Sequence, residues 1–221
     1  MVIIGAKGFA KEVLEVFWQI NQNEEIVFFD NISTDIGDLL YAKFRILKSI
    51  SEAEEYFSLK DDTRFTIGIG NPINRFKLYK TFLAIGGTFS SSISPYAKIG
   101  HFDNSIENGC NIMTGKVITN SIKIGKGALI NLNCTIGHDC TIGEFVEMSP
   151  GTHISGNCKI GSFSVFGTNS TVLPKLTLGD NVIVGAGAVV TKDIPANSLV
   201  VGIPAKVVKD LPNIDLLMKS F

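Results

Sequence analysis

Two adjacent residues, His138 and Asp139, are the part of this sequence best suited to acid–base chemistry. A histidine can remove a proton from an attacking amine or hydroxyl near neutral pH. A neighbouring carboxylate holds the ring in one tautomer and stabilises the imidazolium that forms. Glu144 is close enough in sequence to be an alternative partner for the ring, and the spacing leaves both open. Taken alone, a surface histidine more often has no catalytic role, so the pair is only a candidate.

The elements that must position this pair repeat every six residues. Apolar residues recur at that spacing without a break from Ile106 to Val190, and glycine often follows them. A period of six fits neither a helix nor a flat strand. It is typical of the hexapeptide β-helix, in which three short strands make a triangular coil of about 18 residues. The run predicts nearly five coils and places His138 at an outward-facing corner. A β-sandwich is disfavoured, because irregular turns would break the register.

All four cysteines occupy the fourth position after an apolar residue of the repeat, which should face the narrow interior. We therefore expect structural thiols rather than disulfides or a metal site. Metal binding through histidines is also disfavoured, since His138 and His153 are fifteen residues apart and take different repeat positions. The cysteines are Cys110, Cys134, Cys140 and Cys158.

Residues 1–92 predict a small Rossmann-like α/β domain. Strands are expected at residues 2–4, 26–29 and 65–69, with a helix from Phe9 to Ile20 and another capped by Asn71. Four residues should meet at the C-terminal edge of the parallel strands, where open α/β sheets bind ligands and helix N-termini suit phosphate. The region is short for a full dinucleotide fold, so half a nucleotide site is favoured over NAD. The four residues are Gly8, Asp30, Gly70 and Asn71.

The remaining boundaries follow from the repeat. The β-helix is expected over residues 93–208, beginning with one extra residue between Ile99 and Ile106 and ending in a proline-marked extended exit. The C-terminal tail, residues 209–221, could be a short helix or frayed.

Composition excludes several function classes. The chain of 221 residues is 45% hydrophobic and only 19% charged, with a net charge of −1 and no basic block, so nucleic-acid binding has little support. The sequence contains no apolar stretch of about 18 residues, so it predicts no membrane span. Met1 leads directly into a strand without a charged leader, so we expect a cytoplasmic protein.

Several motifs occur together in one order: 5-GAKG-8, 68-GIGN-71, 137-GHDCTIGE-144, 185-GAGAVVTK-192 and 201-VGIPAK-206. In this combination the chain resembles the NeuD-type sialic acid O-acetyltransferase family, which includes N-acetyltransferases acting on nucleotide-linked 4-amino sugars. The resemblance covers nearly the whole chain. It implies a left-handed parallel β-helix, acetyl-CoA as co-substrate, and a homotrimer with active sites between neighbouring solenoids; with the histidine and cysteine spacing above, no metal is expected.

The resemblance also implies residue roles. His138 matches the catalytic base and Asp139 its acidic partner, while Asn131, one coil earlier, matches a residue that lines the acceptor site. Gly156 matches a backbone donor to the thioester carbonyl. The four residues predicted at the strand ends match the nucleotide-sugar pocket. Four residues in and after the last coils match the coenzyme A groove: Ala186, Gly187, Lys192 and Lys206.

Two positions depart from the family pattern. Some sugar N-acetyltransferases of the group have a second histidine nine residues after the base, where this chain has Glu147. They also have a histidine just after the glycine turn, where this chain has Phe9. Both departures concern the acceptor rather than the base.

Three functional hypotheses follow. The first is an acetyl-CoA-dependent N-acetyltransferase for a nucleotide-linked amino sugar, a 4-amino-4,6-dideoxy sugar, with direct attack and His138 as general base. The second is an O-acetyltransferase for sialic acid or a related sugar. The third is a non-catalytic trimeric scaffold that binds a nucleotide sugar, and the histidine–acid corner argues against it.

Overall fold

The computed structural model describes residues 1–20, 25–214 and 216. Its first part is a six-stranded sheet with three helices. In chain order these elements are β1 Val2–Ile4, α1 Gly8–Gln19, β2 Val27–Phe29, β3 Leu39–Leu40, β4 Phe44–Leu47, α2 Ile50–Leu59, β5 Arg64–Ile67, α3 Pro72–Ala84 and β6 Thr88–Phe89. The strand order is β3-β4-β2-β1-β5-β6, and only the β3–β4 pair is antiparallel. The predicted βαβ core is confirmed, and the short strand β3 was not foreseen.

The second part is a left-handed parallel β-helix, as the period of six predicts. Its strands in chain order are β7 Ser92–Ile93, β8 Lys98–Ile99, β9 Ser105–Ile106, β10 Asn111–Ile112, β11 Val117–Ile118, β12 Lys123–Ile124, β13 Leu129–Ile130, β14 Thr135–Ile136, β15 Thr141–Ile142, β16 Glu147–Met148, β17 His153–Ile154, β18 Lys159–Ile160, β19 Val165–Phe166, β20 Thr171–Val172, β21 Thr177–Leu178, β22 Ile183–Val184, β23 Val189–Val190 and β24 Ser198–Val201. Strand β25, Lys206–Asp210, follows β24.

Every third strand joins the same face of the triangle. The first face contains β7, β10, β13, β16, β19, β22 and β24; the second contains β8, β11, β14, β17, β20 and β23; the third contains β9, β12, β15, β18 and β21. Strands in register along one face are 18 residues apart from β9 to β23, as in Lys123 with Thr141, and the last pair, β22 with β24, is 16 residues apart. The extra residue expected before Ile106 lies in the turn between β8 and β9.

Most corners of the coil hold a residue in the left-handed backbone region, three positions after the apolar residue. Asn133, Asp139 and Asn157 have φ of 57°, 59° and 60° at this position. Asparagine and aspartate adopt this conformation more readily than most residues. Asp139 therefore suits its corner on backbone grounds as well as by its charge.

The interior of the solenoid is apolar, and the four cysteines contribute free, buried thiols to it. Burial raises the pKa of the Cys110 thiol to about 11, which makes it unreactive. The repeat position of the cysteines otherwise holds small or apolar residues, but in the second coil it is occupied by Lys116. That side chain is fully buried, and its Nζ has no hydrogen-bond partner among residues 1–20, 25–214 and 216.

The α/β part docks on the first face of the solenoid through Asn111, which is fully buried. Its Oδ1 accepts hydrogen bonds from Thr66 Oγ1 at 2.9 Å and Ser92 Oγ at 2.7 Å, and its Nδ2 donates to Ile67 O at 2.6 Å. Since Thr66 and Ile67 end strand β5, this amide fixes the start of the Gly68–Gly70 turn relative to the solenoid.

Aromatic packing completes the same docking at the corner between the third and first faces. Phe145 is fully buried although its φ is 52°, a conformation that is unfavourable for a bulky residue. It stacks on Phe163 with ring centroids 5.7 Å apart, and Phe76 of α3 meets both rings edge-on. These aromatic contacts compensate for the unfavourable backbone conformation of Phe145.

The first two residues of the predicted tail, Lys209 and Asp210, belong to a strand rather than to a helix or a frayed end, whereas Ile214 and Leu216 are helical. Strand β25 pairs antiparallel with β24, as in Leu199 with Lys209, because the extended exit turns back on itself at Gly202 (φ 101°). Residues 215 and 217–221 of the predicted tail lie outside the described part of the chain.

Candidate active site

His138 and Asp139 lie at the corner between the second and third faces, after strand β14. His138 Nδ1 is 2.7 Å from Asp139 Oδ2, and both side chains are exposed. A carboxylate can only accept, so Nδ1 must donate, and Nε2 of the neutral ring then carries the free lone pair. The alternative partner, Glu144, instead forms a 3.9 Å ion pair with Lys126. The geometry therefore assigns the acidic partner to Asp139.

Gly156 occupies the equivalent corner one coil later and lies against the histidine ring. A Cβ on Gly156 would be 2.7 Å from His138 Nε2, so only glycine leaves space beside that atom. The neighbouring amides are paired: Ser155 N donates to Val172 O, and Asn157 N donates to His138 O. The Gly156 N–H has no acceptor among the residues that the structure describes. It is thus available to a ligand close to Nε2.

The residues predicted for coenzyme A border the second face in the last coils. Lys192 lies at the same corner as His138, three coils further on, so strand spacing puts it about 14 Å away along the axis. Ala186 and Gly187 form the corner at the opposite edge of that face, between β22 and β23. Lys206 follows Ala205, whose N–H donates to Val189 O at 2.8 Å. All four predicted residues are exposed.

A cavity of about 380 Å³ lies at the C-terminal edge of the first sheet. Gly8, Asp30 and Gly70, which the sequence predicts for a ligand site, line it, and so does Phe9. Helix α1 starts at this cavity, and its N-cap residue Lys7 makes no side-chain capping hydrogen bond. The first-turn N–H groups of α1 are therefore available to an anionic ligand group.

Asp30 uses its carboxylate to organise the loop around this cavity. Oδ1 accepts from Ile32 N and Ser33 N, and Oδ2 accepts from Ala6 N and Ser33 Oγ. Burial alone would raise its pKa, but these hydrogen bonds, with Ser33 N the strongest, hold the pKa below its usual value. Four donors occupy the lone pairs, so Asp30 shapes the wall of the cavity.

Two predicted ligand residues have local roles. Asn71 Oδ1 accepts from Asn74 N at 3.0 Å and caps α3, as the sequence predicts, and Asn71 does not line the cavity. Asn131 Oδ1 accepts from Leu132 N at 2.7 Å. Asn131 also lies one corner, rather than one coil, before His138, because only seven residues separate them.

The cavity and the histidine corner lie on different sides of one chain. The cavity meets the solenoid at the first face, where a Cβ on Gly70 would be 2.8 Å from Glu147 Oε1. His138 lies at the corner between the second and third faces. The described residues of one chain therefore do not bring the predicted base and the predicted pocket together across the solenoid.

Arg75, whose charge acts on Glu147, has a role that the sequence does not reveal. Arg75 on α3 is fully buried, donates from Nη2 to Gly127 O, and lies 5.9 Å from the Phe145 ring centroid. Burial lowers its pKa to about 10, and the charge of Glu147 opposes that shift. Its position in the helical pattern of α3 resembles that of any surface arginine, so the sequence contains no signal for this burial.

The described residues offer neither a metal site nor a membrane-spanning helix. They contain no group of three or more histidine, cysteine or acidic side chains that could hold a metal ion. Among the same residues, no helix is both long and apolar enough to cross a membrane.

Two family models match the chain. Residues 1–82 match the PglD N-terminal domain, and residues 157–192 match the bacterial transferase hexapeptide (six repeats) model. Curated relatives include the bifunctional protein GlmU of Rhizobium rhizogenes, 34% identical over 52% of this chain, and galactoside O-acetyltransferase of Escherichia coli, 34% identical over 35%. The chain spans only 26% and 48% of the length of those two relatives.

Solved structures match over nearly the whole chain. A histidine-to-asparagine variant of perosamine N-acetyltransferase from Caulobacter crescentus, in complex with CoA and GDP-perosamine, is 27% identical with a TM-score of 0.86, covering 95% of this chain and 96% of that one. The acetyltransferase domain of PglB from Neisseria gonorrhoeae is 32% identical with a TM-score of 0.84, covering 94% and 98%. WeeI from Acinetobacter baumannii is 30% identical with a TM-score of 0.83, covering 94% and 98%. The chain belongs to the NeuD/PglD family of hexapeptide acyltransferases.

Proposed function

We propose that this protein transfers an acetyl group from acetyl-CoA to the amino group of a nucleotide-linked sugar, a 4-amino-4,6-dideoxy sugar. The observation that carries the proposal is the His138 corner, where a carboxylate-bound imidazole exposes Nε2 beside the free N–H of Gly156. A base and an oxyanion donor at one point are what acyl transfer requires. The neighbouring structures with CoA and GDP-perosamine support both substrates.

In this mechanism the acceptor nitrogen attacks the thioester carbonyl directly. His138 Nε2 takes the proton that the nitrogen loses as the C–N bond forms, which contributes about 10²- to 10⁴-fold. The Gly156 N–H stabilises the negative charge on the carbonyl oxygen by about 3 kcal/mol. When the C–S bond breaks, the imidazolium returns its proton to the sulfur of CoA.

The cavity at the edge of the first sheet is the proposed nucleotide-sugar site. The uncapped start of α1 would face a diphosphate, while Lys7 at its mouth forms an ion pair with Asp35 Oδ1 at 2.6 Å. The exposed Lys192 and Lys206 at the far end of the second face suit the phosphates of CoA.

A homotrimer would unite these two half-sites. Within one chain the cavity adjoins the first face, and His138 lies at the far corner. Packing the histidine corner of one copy beside the first face of the next would place both around one cleft. The oligomer is therefore part of the proposed active site.

The direct test is an acceptor panel. The purified chain is incubated with acetyl-CoA and UDP-, dTDP- or GDP-linked 4-amino sugars, or with free sialic acid, and CoA thiol release is followed against a control without acceptor. Release with an amino sugar supports the proposal. Release only with sialic acid makes the protein an O-acetyltransferase, and no release with any acceptor contradicts acetyl transfer.

A further inference from the structure

Glu147 is a carboxylate that joins the solenoid to the edge of the nucleotide-sugar cavity. It begins strand β16 on the first face, and its side chain is partly buried. Oε1 is 2.8 Å from the point where a Cβ on Gly70 would stand, and Gly70 lines the cavity. The carboxylate therefore packs directly against the backbone of a cavity residue.

No residue in the described part of the chain, 1–20, 25–214 and 216, donates a hydrogen bond to this carboxylate. Burial raises its pKa, and the charge of Arg75 partly opposes that shift. A partly buried acceptor without a donor is unfavourable unless a ligand supplies one. Glu147 does not itself line the cavity, but its contact with Gly70 puts the carboxylate next to the cavity's edge.

Arg75 supplies the charge behind Glu147. Its Nη2 donates to Gly127 O, whereas Nε and Nη1 have no partner among the described residues. Because the guanidinium is fully buried in the docking interface, its field is weakly screened and favours the ionised form of Glu147. The arginine acts as a positioning and charging residue, not as a ligand contact.

We propose that Glu147 selects an amino group over a hydroxyl group on the acceptor sugar, by binding that amino group in its protonated form. An ammonium gains both a charge-assisted hydrogen bond and ionic attraction from a carboxylate, whereas a hydroxyl gains only a hydrogen bond. The ammonium then loses one proton to solvent. The resulting amine loses a second proton to His138 while the C–N bond forms and the C–S bond breaks.

This inference rests on the proposed transferase function, and the test keeps the two separate. The probes are GDP-perosamine and GDP-rhamnose, which carry an amino and a hydroxyl group at the same sugar carbon, together with whichever UDP- or dTDP-linked amino sugar the wild type acetylates best. Binding is measured by calorimetry and turnover by thiol release. Glu147→Gln removes the charge and keeps the size, and Glu144→Gln is the matched control three residues earlier.

We expect Glu147→Gln to raise the KM for the amino sugar at least tenfold and to reduce the binding preference for amine over hydroxyl by a similar factor. The KM for acetyl-CoA and the melting temperature should stay near wild type, and Glu144→Gln should change none of these quantities. An unchanged amine preference in an active Glu147→Gln variant would overturn the inference. So would a wild type that acetylates only hydroxyl acceptors.

A wild type that releases no thiol with any acceptor contradicts the proposed function instead. In that case the calorimetric binding data still test the role of Glu147. A preference for the amino sugar that Glu147→Gln abolishes supports the inference, whereas equal affinity of the wild type for both nucleotide sugars contradicts it.

Discussion

His138 Nδ1 lies 2.7 Å from Asp139 Oδ2 within a single corner of the β-helix. The contact between two consecutive residues is possible because Asp139 adopts the left-handed backbone conformation that this corner uses. The same corner directs Nε2 of the ring toward Gly156 in the next coil. One repeat position thus sets the tautomer of the histidine and the direction of its lone pair.

Replacing Asp139 by Asn tests that relationship without disturbing the turn, since asparagine suits the left-handed region equally well. The amide can donate to Nδ1 and so stabilise the tautomer whose Nε2 carries the proton. We expect kcat to fall by about 100-fold or more, measured by thiol release, with little change in melting temperature. The matched control is Asn157→Asp, at the same position one coil later. An Asp139→Asn enzyme with wild-type kcat would contradict the assigned tautomer.

Gly156→Ala should damage the site by displacing the ring. The new methyl group would lie 2.7 Å from His138 Nε2, and a misplacement of about 1 Å can reduce a rate about 100-fold. Because the ring is exposed and can move aside, the free energy of unfolding should change by less than about 1 kcal/mol. The control is Gly37→Ala, where a Cβ meets nothing within 4 Å. Equal rates for the two variants would mean that Gly156 does not border the reaction.

Lys116 should make the stability of the protein depend on pH. Burial lowers its pKa from 10.5 to about 7, so between these values the unfolded chain binds a proton that the folded chain does not. Stability should therefore rise with pH from about 7 to 10, at about 1.4 kcal/mol per pH unit, and fall as the pH drops through this range.

Removing the amine should abolish this dependence. Lys116→Met should raise the free energy of unfolding at pH 7 by about 2–4 kcal/mol and flatten the difference in stability between pH 7 and 10. Chemical denaturation of the variant and the wild type at several pH values measures both effects. Lys123→Met, on an exposed strand position, is the control. Parallel curves for Lys116→Met and the wild type would show that Lys116 is charged and solvated in the folded protein.

Mixing two inactive variants tests whether the active site is shared between copies. His138→Ala lacks the base, and Gly8→Glu places a negative charge at the start of α1, where a Cβ meets nothing within 4 Å. Refolding the two together should restore up to about a quarter of wild-type activity if each cleft takes its base and its pocket from different chains. Light scattering should give about 72 kDa, three times the 23.9-kDa chain. A 24-kDa particle, or no recovery from a mixed trimer, would contradict the shared site.

The sequence predicts what depends on the repeat. A period of six assigns each residue to a face or a corner, so the exposure of His138 and the burial of Cys134 follow from counting. The sequence also indicates the buried amine, since Lys116 breaks the pattern of small and apolar residues at the interior position.

Contacts between segments that are distant in sequence cannot be predicted from the repeat. The approach of Glu147 to Gly70 and the bond from Arg75 to Gly127 depend on how the α/β part docks on the first face. No local pattern encodes that docking, because Asn111 occupies a repeat position that any small polar residue could take. The pairing of β25 with β24 is similar, since its residues are exposed and show no buried face.

The role of His138 as the general base of acetyl transfer is measured by the rate of the His138→Ala variant. Initial rates of CoA thiol release are compared for variant and wild type with saturating acetyl-CoA and the preferred amino sugar. If His138 is the base, kcat of the variant falls by about 10²- to 10⁴-fold, with unchanged binding of coenzyme A by calorimetry. A His138→Ala variant that keeps the wild-type kcat would contradict that role.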